Sequence, residues 1–144
     1  MRRLFKRVLV AYDGSSFSWK ALLYACRVVK ATGGTVRALY VVDASRARVV
    51  LSGILIIREE ELREAGMEML KKALRKAKEE TGVDIEVSVR VGHPVEEILE
   101  EAKEWKADLI VVGARGTGGF RELILGSVAE SLVRYSPIPV LIIK

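Results

Sequence analysis

The residues best suited to chemistry lie in one glycine-rich segment, residues 113–127, which reads Gly-Ala-Arg-Gly-Thr-Gly-Gly-Phe-Arg-Glu-Leu-Ile-Leu-Gly-Ser. It follows the apolar run 109–112 and precedes a helical pattern. A strand, a glycine loop and a helix N-terminus in this order present backbone N–H groups to phosphate. Gly113, Gly116 and Gly126 would let the backbone approach a ligand closely, and Gly126 would do so beside the positive end of the helix dipole.

The glycine spacing alone leaves two interpretations of this segment. Neither a G-x-G-x-x-G fingerprint nor a Gly-Lys-Ser/Thr sequence is present, so neither of the common phosphate loops applies. Glycines also mark turns, so a plain surface loop fits equally well. Ser127 and Glu130 match a capping box, which predicts Ser127 as the N-cap of the following helix.

Asp13 is a second candidate, in the segment Ala11-Tyr12-Asp13-Gly14-Ser15-Ser16 that follows the first apolar run. Its carboxylate could accept hydrogen bonds from ribose hydroxyls or share a metal ion with phosphates. The alternative is a turn or helix N-cap role. At the end of the second apolar run, Val41 and Val42 offer backbone groups to an adenine edge, or they are simply core residues.

Apolar runs and helical patterns alternate along the chain. The predicted strands are 6–12, 36–42, 84–91, 109–112 and 140–143. Two predicted helices cover 58–81 and 128–135, and two more have apolar faces over residues 17–29 and 95–105. This alternation predicts a single α/β domain, residues 1–144, with an open parallel five-stranded sheet and helices on both faces. The third strand alternates apolar and polar residues, which favours an edge position. Residues 44–57 fit a flap, a short helix or an oligomer contact.

Ligands of such sheets bind beyond the carboxyl ends of the strands, where the strand order reverses. If the order is 3-2-1-4-5, the first and fourth strands are neighbours. Asp13 then faces the glycine-rich segment at that point of reversal.

Composition narrows the classes of function. The chain has 24 Lys and Arg against 19 Asp and Glu, a net charge of +5. The cations are scattered along the sequence, which favours an anionic small ligand over specific nucleic-acid binding. No apolar run approaches the roughly 18 residues of a membrane helix, and no signal sequence is evident, so we expect a cytoplasmic protein. The lone Cys26 and the lone His93 make no zinc site, and the absence of Asn and Gln is typical of proteins from hot environments.

The spacing G-x2-G-x9-G-S over residues 113–127 resembles the G-2x-G-9x-G-(S/T) pattern of the ATP-binding branch of the universal stress protein family. The resemblance covers nearly the whole chain. Residues 8–15 resemble the opening strand and turn of that family, residues 91–98 its Gly-x-Pro-x-x-x-Ile segment, and residues 126–144 its last helix and strand.

The resemblance implies an adenine nucleotide alpha hydrolase-like fold that holds ATP, or ADP or AMP, in the cleft, with Asp13 beside Mg²⁺ and phosphates. The implied nucleotide-binding residues are Ala11, Tyr12, Asp13, Val41, Gly113, Ala114, Arg115, Gly116, Gly126, Ser127 and Val128. It also implies a homodimer formed through the last strand.

We therefore expect a nucleotide-dependent regulatory or stress-response switch. No general base accompanies Asp13, Arg115 and Arg121, so we expect slow ATP hydrolysis at most. Two alternatives stay open. One is an adenylate-handling enzyme, which would need an S-G-G-x-D/S-like loop after the first strand. The other is a dimeric scaffold that binds no nucleotide and acts through residues 44–57 and the last strand.

Overall fold

A computed structural model describes residues 4–44, 58–116 and 125–144. The strands are β1 (Arg7–Ala11), β2 (Thr35–Asp43), β3 (Ile85–Gly92), β4 (Leu109–Gly113) and β5 (Val140–Ile143). The helices are α1 (Ser16–Thr32), α2 (Glu59–Thr81), α3 (Pro94–Trp105) and α4 (Ser127–Tyr135). The hypotheses about residues 44–57 rest on a segment of which 45–57 lie outside the described residues, and Arg121 lies outside them too.

The five strands form one parallel sheet in the order β3-β2-β1-β4-β5, which confirms the predicted fold class and strand order. β1 lies at the centre, where its continuous apolar sequence is covered on both faces. β3 is an edge strand, as its alternating pattern predicts. β4 pairs with β1 in a register that sets Val112 beside Ala11.

The helices cover the two faces of the sheet in pairs. Successive residues of a strand point to opposite faces. Val8 and Val10 therefore pack with the side chains of α1 and α2, and Leu9 packs with those of α3 and α4. No helix within the described ranges is long and apolar enough to cross a membrane.

The start of α4 corrects the sequence prediction that Ser127 is its N-cap. Gly126 occupies the cap position, and its carbonyl accepts a hydrogen bond from the N–H of Glu130 at 2.9 Å. Gly126 is held there because its own N–H donates to the carbonyl of Ala114 at 2.7 Å. Ser127 is instead the first residue of the helix, and the side chain of Glu130 turns towards Arg134.

A buried ionic cluster, which the sequence did not predict, ties α3 to the two strands beneath it. Glu101 is only 5% exposed. Its carboxylate accepts a hydrogen bond from Arg90 Nε at 2.7 Å and another from Arg37 Nη1 at 3.0 Å. The guanidinium carbon of Arg37 also lies 4.5 Å from the ring centre of Trp105. One carboxylate thus joins β2, β3 and α3.

The arginines keep Glu101 ionised. Burial alone would raise the pKa of the Glu101 carboxyl, but hydrogen bonds from Arg90, Arg37 and Ser88 outweigh burial and lower it below the usual glutamate value. The folded pKa is therefore lower than the unfolded pKa, which is about 4.3. The stabilisation that follows is present above that pH and is lost as the pH falls through the folded pKa.

We predict that Glu101→Gln lowers the free energy of unfolding by about 2 kcal/mol at pH 7, because it weakens charge-assisted hydrogen bonds to a buried carboxylate while Arg37 and Arg90 keep their other carboxylate partners. The difference from the wild type should shrink as the pH falls below about 4.3. Urea denaturation at a series of pH values measures it. Glu104→Gln is the control, since that carboxylate also contacts Arg90 but is largely exposed. Equal losses in the two variants would contradict the role assigned to the buried carboxylate.

Candidate functional site

The turn after β1 holds Asp13 by its backbone and its side chain. The N–H of Ser15 donates to Asp13 Oδ1 at 2.9 Å. Gly14 between them has φ +86°, a left-handed conformation that favours glycine. Ser15 then caps α1, because its hydroxyl accepts from the N–H of Ser18 at 3.1 Å. Asp13 is thus a turn residue, as one interpretation of the sequence had it, and its second oxygen, Oδ2, is directed elsewhere.

The hydroxyl of Ser18 holds this turn in place by hydrogen bonds, a role that the sequence analysis did not predict. Its hydroxyl accepts a hydrogen bond from the N–H of Asp13 at 3.2 Å and donates to the carbonyl of Ser15 at 3.0 Å. Ser18 is 3% exposed. A polar residue at a buried position of the first helical turn was the signal that could have found it.

Gly113 ends β4 and touches α1. A Cβ on Gly113 would lie 2.7 Å from the Cβ of Phe17 and 2.9 Å from its carbonyl carbon, so no side chain fits there. The glycine lets the sheet and the first turn of α1 come into contact. Packing against α1 is therefore enough to explain why position 113 is a glycine, without any ligand.

Gly126 brings the start of α4 against the end of β4. It is buried, and its N–H donates to the carbonyl of Ala114 at 2.7 Å. A Cβ on Gly126 would lie 3.2 Å from the Ala114 oxygen and 3.2 Å from the Arg115 Cα. The N–H groups of the first residues of a helix have no partner within that helix. Those of Ser127 and Val128 therefore emerge beside the residues that follow β4, at the positive end of the α4 dipole.

The two parts of the predicted site, the turn after β1 and the residues that follow β4, meet at Asp13 and Gly116, and we call this place the Asp13 corner. A Cβ on Gly116 would lie 2.7 Å from Asp13 Oδ2, so the carboxylate lies directly against this glycine. The guanidinium carbon of Arg115 lies 4.8 Å from the ring centre of Phe17, in the first turn of α1. The structure thus places a carboxylate, a guanidinium group and the N-terminus of α4 around one edge of the sheet.

Three other predicted site residues share one apolar face beside this corner. Ala11, Val41 and Val128 are all partly buried and pack on the core beneath α3 and α4. Tyr12 packs on the opposite face, against the core beneath α1 and α2. Burial and the neighbouring Asp13 charge raise the pKa of the Tyr12 hydroxyl, so it stays neutral.

The remaining titratable candidates lie away from this corner. His93 is the exposed N-cap residue of α3 and follows β3, which β2 separates from β1. Cys26 is buried in the core, where burial raises the pKa of its thiol. Among the described residues, no three His, Cys, Asp or Glu side chains converge to hold a metal ion. A metal at Asp13 would need a ligand's oxygen atoms to complete its coordination.

Comparison with known proteins gives consistent matches over the whole length. The sequence profile of the universal stress protein family matches residues 4–144. Universal stress protein MJ0531 of Methanocaldococcus jannaschii is 39% identical over 142 residues, which cover 98% of this chain and 83% of that protein. Universal stress protein UspA from Lactobacillus plantarum has a similar structure, with a TM-score of 0.79, 25% identity and coverage of 99% of this chain and 100% of the other. A universal stress protein solved in complex with cAMP matches with a TM-score of 0.70, 28% identity and coverage of 98% of each chain.

The contact of Gly116 with Asp13 makes a testable pair. We predict that Gly116→Ala destabilises the protein by about 1–3 kcal/mol, because the new methyl group must displace the Asp13 carboxylate. In an Asp13→Ala background the same substitution should cost little, so a double-mutant cycle should give a coupling energy of about 1 kcal/mol or more. Chemical denaturation of the four proteins measures it. Additive effects would mean that the two loops do not touch in solution.

Proposed function

The chain belongs to the universal stress protein family, and on that premise we propose that it is a regulatory protein that binds ATP with Mg²⁺ between Asp13 and the N-terminus of α4. The observation that carries the proposal is the contact of Gly116 with the Asp13 carboxylate. That contact brings the residues that follow β4 against the carboxylate in the turn that follows β1. The solved relative in complex with cAMP supports an adenine nucleotide as the class of ligand.

The phosphates would lie at the start of α4. Backbone N–H groups at a helix N-terminus bind phosphate without side-chain charge. Ser127 is exposed and holds no capping hydrogen bond in the described part of the chain, so its hydroxyl can donate to phosphate there. The carboxylate of Glu130 turns towards Arg134, 3.4 Å away, which removes the repulsion that an inward carboxylate would cause.

The donor set suits Mg²⁺ bound together with phosphates. Mg²⁺ prefers oxygen ligands, keeps several waters and is often held by one or two carboxylates plus substrate phosphates. Asp13 supplies one such carboxylate, with Oδ1 fixed by the Ser15 N–H and Oδ2 directed at the glycine loop. When bound, the metal would offset the repulsion between this carboxylate and a phosphate chain.

The adenine would lie against the apolar face formed by Ala11, Val41 and Val128. These side chains are partly buried and have no charge, so they suit a flat aromatic ring. The backbone of Val41 is the group we assign to the adenine edge. Tyr12 packs on the other face of the sheet, so its bulk does not narrow this side of the cleft.

Binding rather than turnover is the proposed activity. Hydrolysis needs a group that positions the attacking water near the phosphate. The carboxylate that contacts Gly116 is Asp13, which the proposal assigns to the metal, and His93 lies beyond β2. We therefore propose a nucleotide-dependent switch with slow hydrolysis at most, acting in the cytoplasm, where ATP is supplied.

We predict that Mg-ATP at about 100 times its Kd stabilises the protein by about 2.7 kcal/mol and raises its Tm by roughly 8 °C. Ser127→Ala should reduce the shift, and Asp13→Asn should remove the part that depends on Mg²⁺. Asp84→Asn is the matched control, because that carboxylate is exposed in the turn before β3, at the opposite edge of the sheet.

Mass spectrometry of the purified protein, first native and then denatured, identifies the nucleotide it retains. The proposal would be refuted if the purified protein carried no nucleotide and its Tm did not change with Mg-ATP, ADP or AMP. Release of pyrophosphate at enzymatic rates would favour the adenylate-handling alternative instead.

We also propose that two copies pair through β5. β5 is an edge strand, and an unpaired apolar edge is prone to association. Leu141 on β5 is 36% exposed, and Val133 and Tyr135 on the neighbouring α4 are 55% and 64% exposed. A two-fold axis beside β5 would cover these side chains with their own counterparts.

We predict that Leu141→Glu weakens this dimer at least about tenfold, because it sets like charges against each other across the two-fold axis. Light scattering after size exclusion, over a range of concentrations, measures the change. Leu4→Glu is the control, since Leu4 is 75% exposed and lies before β1. A wild-type protein that remains monomeric at high concentration would refute the pairing.

A further inference from the structure

The net positive charge of the protein comes from its first 42 residues, because acidic residues are almost absent there. Residues 1–42 contain eight Lys or Arg residues and a single acid, Asp13. The whole chain contains 24 Lys and Arg against 19 Asp and Glu, so the remaining residues carry a net negative charge. The apparent scatter of cations along the sequence hides this asymmetry, which is typical of chains that bind polyanions.

Three of these eight cations lie on the outer surface of α1. The helix has three cations, Lys20, Arg27 and Lys30, and no Asp or Glu among its 17 residues. All three cations are exposed. Over residues 4–44, 58–116 and 125–144, none of the ion pairs includes any of them. Other helices contain ion pairs between their own residues, such as the pair of Arg63 with Glu59 in α2.

An exposed aromatic ring lies between two of these cations. Tyr24 is 44% exposed, and the guanidinium carbon of Arg27 lies 5.2 Å from its ring centre. Lys20, Tyr24 and Arg27 are spaced i, i+4 and i+7, so they share one face of the helix. We call these three residues the α1 stripe. It spans about 10 Å, given a rise of about 1.5 Å per residue.

We propose that the α1 stripe binds single-stranded nucleic acid without sequence preference. Lys20 and Arg27 would contact phosphates, and a base would stack on the Tyr24 ring. Cations that follow a backbone, together with an aromatic ring that accepts a base, are the two elements of such binding.

The aromatic ring decides between this ligand and an acidic protein. An acidic protein surface would use the cations but would gain nothing specific from a π-face, whereas every unpaired base has one to stack. Arg27 also holds the Tyr24 ring by a cation–π contact, which reduces the conformational freedom lost on binding. Lys20 Nζ lies 5.7 Å from the centre of the Phe17 ring that Arg115 also contacts, so the test is done with the site beside Asp13 filled.

The test is fluorescence anisotropy with a labelled 12-nucleotide oligo(U) that has no terminal phosphate, from 50 to 200 mM salt, with saturating Mg-ATP present. For single strands, each lost phosphate contact lowers the slope of log K against log salt by about 0.7. The double variant Lys20→Ala, Arg27→Ala should therefore lower the slope by about 1.4. The matched double variant Lys71→Ala, Lys103→Ala removes the same charge from exposed positions of α2 and α3 and should leave the slope nearly unchanged.

The contribution of the Tyr24 ring is measured separately, as the change in affinity at constant salt slope. Tyr24→Ala should weaken binding at least about fivefold with an unchanged salt slope, and Tyr24→Phe should bind as the wild type does. If an alanine variant melts at a lower temperature, Lys20→Gln, Arg27→Gln and Tyr24→Leu replace the alanines at the same positions.

Three results would overturn the proposal. They are absence of binding at 50 mM salt, equal slopes for the two double variants, and no loss on removal of the Tyr24 ring. Binding that appears only when Mg-ATP is omitted would also overturn it, because the oligonucleotide would then occupy the Asp13 corner.

Discussion

The parallel pairing of β1 with β4 is the interaction on which the rest of the molecule depends. These strands are far apart in the sequence, yet Ala11 and Val112 are partners in the ladder. The connection after β1 turns to one face of the sheet with α1, and the connection after β4 turns to the other face with α4. Two neighbouring strands whose following helices diverge must leave a crevice between them, and the residues next to both strand ends necessarily line it. The position of the crevice is therefore a consequence of strand order and does not require any ligand to create it.

The glycines of the motif do different work within that crevice. Gly113 is required because the first turn of α1 occupies the space of a side chain, whereas a side chain on Gly126 would lie a tight 3.2 Å from the Ala114 oxygen and the Arg115 Cα. Gly116 is the one that faces the Asp13 carboxylate. Packing alone would thus require Gly113 and favour Gly126 even in a protein that bound no ligand. A glycine pattern of this kind is strong evidence of a fold, whereas a ligand site is indicated by the groups that the glycines bring together, here Gly116 and the Asp13 carboxylate.

The sequence predicted the strand order and the contact of Asp13 with the residues after β4. Both follow from the spacing of apolar residues, the number of strands and the rules of parallel-sheet topology. The cap of α4 was predicted wrongly because local sequence favoured Ser127, whereas a long-range hydrogen bond to Ala114 fixed Gly126 in that position. The Glu101 cluster was not predicted at all. Arg37 and Arg90 sit in different strands, and nothing local relates either to a glutamate on α3. The spacing of apolar residues identifies which side chains face the core. Which side chains pair across two elements depends on the register and distance between those elements, and a single sequence does not show either.

The hydrogen bond between Gly126 and Ala114 has a consequence for how this fold can diversify. It fastens the two anchor points of the connection between β4 and α4 directly to each other, so the geometry of the anchors does not depend on what joins them. Lengthening such a closed segment costs only about 0.6 kcal/mol of chain entropy for each doubling. The length of the chain between Gly116 and Gly126 can therefore change at small cost to the fold, as long as Ala114 and Gly126 keep this hydrogen bond.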